Sequence, residues 1–318
     1  MPSVPPARQI DCYPARVSVW LRPLSACRSP RHNEVRTFST MTSGLLELSQ
    51  WLESHGCTHV AMEATGVYWK PVWHLLEGSF ELVLANAQHI RNVPGRKTDV
   101  NDAMWIADLL AHGLIRSSFV PPAPIQELRD LTRTRKQLVR EMSQHTMRIQ
   151  KVLEDANIKL DSVLSSVVGK SGRAMLQALI DGESDPERLA DLAQGTARKK
   201  HAALIEALRG RVTKHHRSML KLHMQMIDAI ESALREVDGH VGKALEPIRA
   251  CAQLLTTIPG VSDIVANVIV AEIGIDMSRF PTPGQALSWV LCNRAFWPQM
   301  GNRPSKCTAN WLSAFFQF

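Results

Sequence analysis

The hydrophobic period of this chain changes at a cluster of prolines, and that change limits the possible folds more than any other feature. Before Pro121, Pro122 and Pro124, short β-rich runs alternate with short amphipathic runs; after them, apolar residues keep helical spacing over long stretches. Proline lacks an amide proton and its ring collides with the preceding helical turn, so no helix continues through the cluster. Two differently built regions are therefore expected on either side of it.

On the N-terminal side, Ala15–Leu21, Glu34–Ser39, His59–Ala64 and Glu81–Ala85 read as strands bounded by Pro, Gly, Ser and Asn. Between them, Thr42–Ser54 carries Leu45, Leu46, Leu48 and Leu52 at helical spacings behind Thr42 as a candidate cap, and Val67–Leu76 repeats the pattern. Such alternation predicts a sheet covered by helices. A short helix is expected from Asp99 to about His112.

Beyond the prolines, Leu128, Met142, Ile149 and Ala156 fall on one heptad row and Leu131, Leu138 and Val152 on the other, interrupted by Arg135 and His145. A second heptad run comprises Leu208, Val212, His215, Met219, Leu222, Met226, Ala229 and Ala233. Two long helices of this kind pair antiparallel, with Gly169–Gly195 as a small helical insertion turning at Asp185–Pro186. Near the end, Ile258–Pro259–Gly260–Val261 separates two short helices in the manner of a helix-hairpin-helix, whose turn amides can face a phosphate. The expected organisation is an α/β domain over residues 1–120, a long-helix, coiled-coil region over 121–248 and a mainly α C-terminal domain over 249–318.

The 37 Lys and Arg against 30 Asp and Glu give a net charge of +7, which favours a polyanionic partner. Six cysteines without CxxC spacing argue against a zinc ribbon or a disulfide framework and fit a reducing cytoplasm. Met1–Pro6 is proline-rich without an apolar core, unlike a secretory signal, and Val265–Ile275 falls far short of the roughly 20 residues that span a bilayer. A cytoplasmic, membrane-free protein is expected.

The chemistry concentrates in the first region. Glu63 closes the apolar run His59–Glu63 just before Gly66, so it stands either as a carboxylate at the mouth of a crevice or as an ordinary exposed strand end. Asp99 and Asp102 stand three apart, on one face of a helix, where they read either as helix-capping acids or as ligands. Three carboxylates aimed at one point repel unless cations neutralise them, and such hard oxygen donors suit magnesium or manganese. Two ions about 3.5–4 Å apart serve phosphoryl transfer. Asp11 is a fourth candidate if its segment forms the first strand.

The runs Thr58–Lys70, Leu84–Gln88 and Val93–Ala103, with Val120–Pro122, Ile149–Ile158 and Thr257–Phe280, closely resemble the insertion-sequence 110 family of transposases. The resemblance spans roughly residues 34–289. It implies an RNase H-like (RuvC-like) domain with a DEDD metal site, long dimerising helices, a C-terminal domain that supplies a nucleophilic serine, and a structured guide RNA that pairs with DNA. Asp11, Glu63, Asp99 and Asp102 take the four acidic positions, with Mg2+ or Mn2+ as cofactor and a homodimer or homotetramer as the assembly. Asp11 matches in foreign flanks, because Pro14 follows it and proline is unwelcome in a central strand.

After Trp289 the text departs from the family. About Gln299 stands where the serine is expected, and neither Ser305 nor Ser313 has the expected neighbours. A frameshift past Trp289 is one explanation. Three functions follow: an RNA-guided recombinase, a transposase remnant that binds nucleic acid without rejoining strands, or a nuclease that uses water.

Arg133, Lys136, Arg140, Arg148 and Lys151 form a basic stripe, and Lys199, Lys200 and Lys214 add to a second one. Each reads as a contact to a DNA or RNA backbone or as a solvated helix face. Tyr68, Trp69 and Trp73 read equally as core or as base-stacking groups. His215, His216 and His223 do not converge on one point, which argues against a metal.

Overall fold

The computed structural model describes residues 7–13, 16–22, 34–64, 66–85, 106, 109, 110, 113–115, 117–258 and 260–279, with side chains described between 36 and 278 of these. The chain divides into two compact units, Met1–Val120 and Pro121–Phe318.

The first unit holds a five-stranded sheet of β1 (Ala7–Tyr13), β2 (Arg16–Arg22), β3 (Glu34–Ser39), β4 (His59–Glu63) and β5 (Glu81–Ala85), in the order β3-β2-β1-β4-β5. β2 runs antiparallel to β1 and β3, whereas β1, β4 and β5 are mutually parallel. Parallel neighbours need crossovers. Helices α1 (Thr42–Ser54) and α2 (Trp69–Leu76) provide those leading into β4 and β5.

β1 extends the sheet beyond the four expected strands. It ends at Tyr13, so Pro14 falls after the strand rather than inside it.

α1 has the expected limits, with two local differences. The residue before it, Met41, is the cap position and no side chain caps the helix, so Thr42 is simply its first residue. Leu46 is exposed, while Trp51 joins Leu45, Leu48 and Leu52 inside. A Cβ on Gly44 would stand 2.5 Å from the Ser39 carbonyl oxygen, so glycine there lets α1 fold back onto the end of β3. Phe38, Leu48, Leu52, Val60, Met62, Val72, Leu76 and Leu84 form the core beneath.

The second unit is helical. α3 (Ala123–Asp155) and α8 (Lys214–Leu245) run antiparallel, as Arg135–Asp238, His145–His223 and Asp155–His216 contacts at successive levels show. Between them lie the insertion helices α4 (Leu160–Val163), α5 (Lys170–Asp181), α6 (Pro186–Asp191) and α7 (His201–Ala207). Asp185 caps α6 by accepting from the Glu187 amide at 3.1 Å, beside the expected turn.

Along α3 the expected seam largely holds: Leu128, Ile149 and Ala156 are buried, and Leu131, Leu138 and Val152 are half-buried. Along α8 the expected face is the wrong one. His216, Leu220, His223, Ile227, Ile230, Val241 and Leu245 turn inward, whereas His215, Leu222, Met226 and Ala229 are exposed. Both sets keep spacings of three and four, offset by one position, so periodicity alone cannot choose between them.

α9 (Arg249–Thr256) and α10 (Asp263–Ile273) complete the unit around Leu255, Ala266, Ile269 and Ile273. α10 docks on α3 through a buried carboxylate. Glu272 is 2% exposed and accepts both arms of the Arg133 guanidinium at 2.9 Å. Arg129 donates to the Ala271 carbonyl at 3.2 Å and the Glu272 carbonyl at 2.6 Å, satisfying the C-terminal end of α10, where a cation is also favoured.

Removing one partner of such a buried pair leaves an uncompensated charge. Glu272→Ala is expected to lower stability by about 3 kcal/mol, measured by urea unfolding. Arg133→Ala is expected to cost less, because Arg129 still faces Glu272 at 3.3 Å.

A second expectation concerns pH. The rings of His145 and His223 place their Nδ1 atoms 3.3 Å apart, and burial, then His145 and Arg148, hold the His223 pKa below the ordinary imidazole value. The unfolded chain takes up this proton near pH 6.5 and the folded chain resists it, so the stability it supports is complete above about pH 6.5 and is lost as pH falls through the folded value. His223→Leu should flatten this part of the pH profile of the unfolding midpoint; an unchanged profile would show that another group sets it.

Candidate functional site

β4 is buried along its middle, with Val60, Ala61 and Met62 all at 0% exposure, as expected for a parallel strand covered on both faces. Glu63 is its last residue and emerges half-buried. It pairs in register with Ala85 of β5, and the Ala64 amide continues the ladder to the Ala85 carbonyl at 2.9 Å. The end of β4 is thus fixed where Glu63 leaves the core.

Asp11 lies on β1, the central strand. β1 and β4 pair in register from Ala7 with His59 to Ile10 with Met62, so Asp11 follows the last paired residue of β1 as Glu63 follows that of β4. Neighbouring strands lie about 4.8 Å apart. Ligands of open α/β sheets bind outside the carboxyl ends of their strands, where Glu63 stands, and Asp11 lies two residues before the end of β1.

Asp99 and Asp102 lie outside the described residues, as does most of the helix expected up to His112. The flanks of their segment are described. β5 ends at Ala85, and the chain returns at Ser117, which bridges to Ala85, while the Ser118 amide donates to the Leu84 carbonyl at 2.6 Å. The excursion carrying both aspartates therefore leaves and re-enters at the strand end that pairs with Glu63. Among the described residues, no group of three or more His, Cys, Asp or Glu side chains is placed to hold a metal ion.

The basic residues divide by role. Arg129, Arg133, Lys136 and Arg140 follow one another at steps of four, three and four along one face of α3. The first two are committed to Glu272 and the end of α10, so Arg133 is part of a helix–helix joint rather than an open phosphate contact. Burial first, and Arg140 next, lower the Lys136 pKa, which marks a positive field along this face. Arg140, Arg148 and Lys151 are exposed and have no ion pair among the described residues. Lys199 and Lys214 are exposed as well, while Lys200 donates to the Val163 carbonyl at 2.6 Å.

The histidines do not gather. His215 is exposed, His216 Nε2 lies 2.8 Å from Asp155 with Nδ1 accepting from the Thr213 amide, and His223 meets His145. Among the aromatic residues, Trp73 is buried and Trp69 packs on it, but Tyr68 is exposed. Sequence reasoning treats the three as one group. The signal that separates them is Gly66, where the chain turns before α2 begins.

Residues 28–158 match a family model for the DEDD transposase of IS110 type, described as a transposase, and residues 252–292 match one described as the transposase IS116/IS110/IS902 family. Together the two segments make up more than half of the chain. The chain belongs to the IS110 family of transposases. An RNase H-like fold follows for the first unit from its DEDD domain, in keeping with its mixed sheet and covering helices. Domains of this type generally use divalent metals, and the family is one of DNA-cleaving enzymes of insertion sequences. No curated protein matches the chain. No described helix is long and apolar enough to cross a membrane.

The exposed face of α3 yields a measurable expectation. Replacing Arg140, Arg148 and Lys151 together by Gln should weaken binding to DNA and RNA without sequence preference. It should also reduce the slope of log K against log salt by roughly 0.7–0.9 for each phosphate left without its cation. An unchanged slope would mark these cations as a solvated helix face.

Proposed function

We propose that this transposase cuts and exchanges DNA strands at a site formed by Asp11, Glu63, Asp99 and Asp102. The observation that carries the reading is the register: β1 and β4 pair up to Ile10 and Met62, the residues that precede Asp11 and Glu63. The tether of the 86–116 excursion to the end of β5 supports the place of Asp99 and Asp102 in the same site.

Four carboxylates make a hard, anionic donor set that fits Mg2+ or Mn2+ and disfavours softer ions. Bound there, such ions activate the attacking oxygen and stabilise the leaving oxygen of phosphoryl transfer. The chain itself contributes rigidity. Glu63 and Asp11 belong to adjacent parallel strands, and the Ala64 amide ties the end of β4 to β5.

A structured RNA serves as guide in this reading, which rests on the resemblance of the motifs, with DNA and RNA backbones meeting Arg140, Arg148, Lys151, Lys199 and Lys214. α9 and α10, joined at Gly260, act as a helix-hairpin-helix against a phosphate, and the paired long helices serve as the coiled coil of a homodimer or homotetramer. A cytoplasmic bacterial setting belongs to the same reading. One observation favours a second reading, a remnant that binds without completing recombination: residues 293–318, among them Gln299, Ser305 and Ser313, lie outside the family match.

The test incubates the full chain with RNA and DNA from the ends of its parent element, target DNA and Mg2+. Recombinants support the recombinase, nicks alone a nuclease, and binding alone the remnant. Glu63→Ala and Asp102→Ala should each abolish cutting while RNA binding persists, and chelation should do the same. Unchanged cutting in either variant overturns the metal assignment.

A further inference from the structure

The stretch that follows Glu63 carries three aromatic residues, and the fold uses two of them. Trp69 packs edge to face on Trp73, with centroids 5.7 Å apart and planes at 85°, and both belong to the sheet–helix core. Tyr68 is 49% exposed and its neighbour Val67 is 64% exposed. The Tyr68 hydroxyl has no hydrogen-bond partner among the described residues.

Single exposed apolar residues are ordinary. The placement of this one is not. Gly66 adopts φ 54°, a conformation that side chains other than glycine rarely take, and this turns the chain between the end of β4 and α2. The Tyr68 ring lies back over that turn, 3.8 Å from where a Cβ on Gly66 would stand. One side of the ring is thus supported by the glycine turn and the rest is left open, five residues from the carboxylate that closes β4.

We infer that Tyr68 is a stacking platform for an unpaired base of the DNA strand that enters the carboxylate site, an inference that rests on the function proposed above. Bases inside a duplex already have both faces covered, so an aromatic platform selects one that is unstacked. A π-face accepts any base, which suits an enzyme whose sequence choice is made elsewhere. Tyr68 acts as a positioning residue: it holds the strand, and the carboxylates do the chemistry. The exposed Val67 widens the apolar surface under the base.

The full chain is bound without divalent metal to single-stranded DNA from the element end in which 5-iodouracil replaces thymine. The complex is irradiated, and the cross-linked residue is identified by mass spectrometry. Affinities for the same strand, and for its duplex, are measured by fluorescence anisotropy with Tyr68→Ala, Tyr68→Phe and Tyr68→Trp.

The expected result is a cross-link at Tyr68 and about tenfold weaker single-strand binding in Tyr68→Ala, restored by Phe or Trp, with duplex affinity unchanged. Cross-links only elsewhere, an unaltered Tyr68→Ala, or a Tyr68 cross-link to iodouracil RNA but not to DNA would overturn the inference. In each of these cases the wild-type chain still binds nucleic acid and the proposed function stands. A wild-type chain that binds neither strand nor duplex would instead bring down the function and the platform together.

Discussion

The parallel pairing of β1 with β4, and of β4 with β5, is the constraint on which the first unit turns. Side chains alternate across a strand, so a slip of one residue would send Glu63 to the opposite face of the sheet. Such a slip is opposed by burial. Val60, Ala61 and Met62 fill both faces of β4, and Gly44 lets α1 press against the end of β3. Each fully buried aliphatic side chain contributes roughly 1.5–3 kcal/mol, so the apolar core holds in place Glu63, which emerges from its edge.

The second unit solves a different problem, that of aligning two helices each about 50 Å long. Apolar clusters secure the two ends: Ile149, Leu153, Leu220, Met224 and Ile227 with the insertion helices at one, Leu128, Val241, Leu245 and Ala271 at the other. Between and beside them the polar pairs Arg135–Asp238, His145–His223 and Asp155–His216 meet at matching levels. Apolar packing tolerates sliding by a heptad; these pairs do not, because a shifted register would strand their polar groups. The joint at Glu272 then fixes α10 to the end of this frame.

Much of this is legible in the sequence where a single physical signal dominates. β3, β5 and α1 appear at the expected residues, because alternation and helical spacing are unopposed there. The face of α8 is misread because Met219, Leu222 and Met226 offer a second stripe as regular as the buried one. Arg133 is misread for a related reason: nothing local reveals that a carboxylate 139 residues away will claim it. Glu63 is legible as a strand end, and the family motif names its partners. The pairing of β1 beside β4 is not, since strand pairing between distant segments leaves no mark in either one alone.

The return of the chain to β5 has an evolutionary consequence. Ala85 and the Ser117 that bridges to it fix both ends of the intervening segment on one strand. Doubling the length of a connection whose ends are fixed costs only about 0.6 kcal/mol in closure entropy, so insertions between these two anchors need not disturb the strands. Relatives can thus vary the chain between these two anchors while β4 and β5, and Glu63 with them, stay fixed by the core.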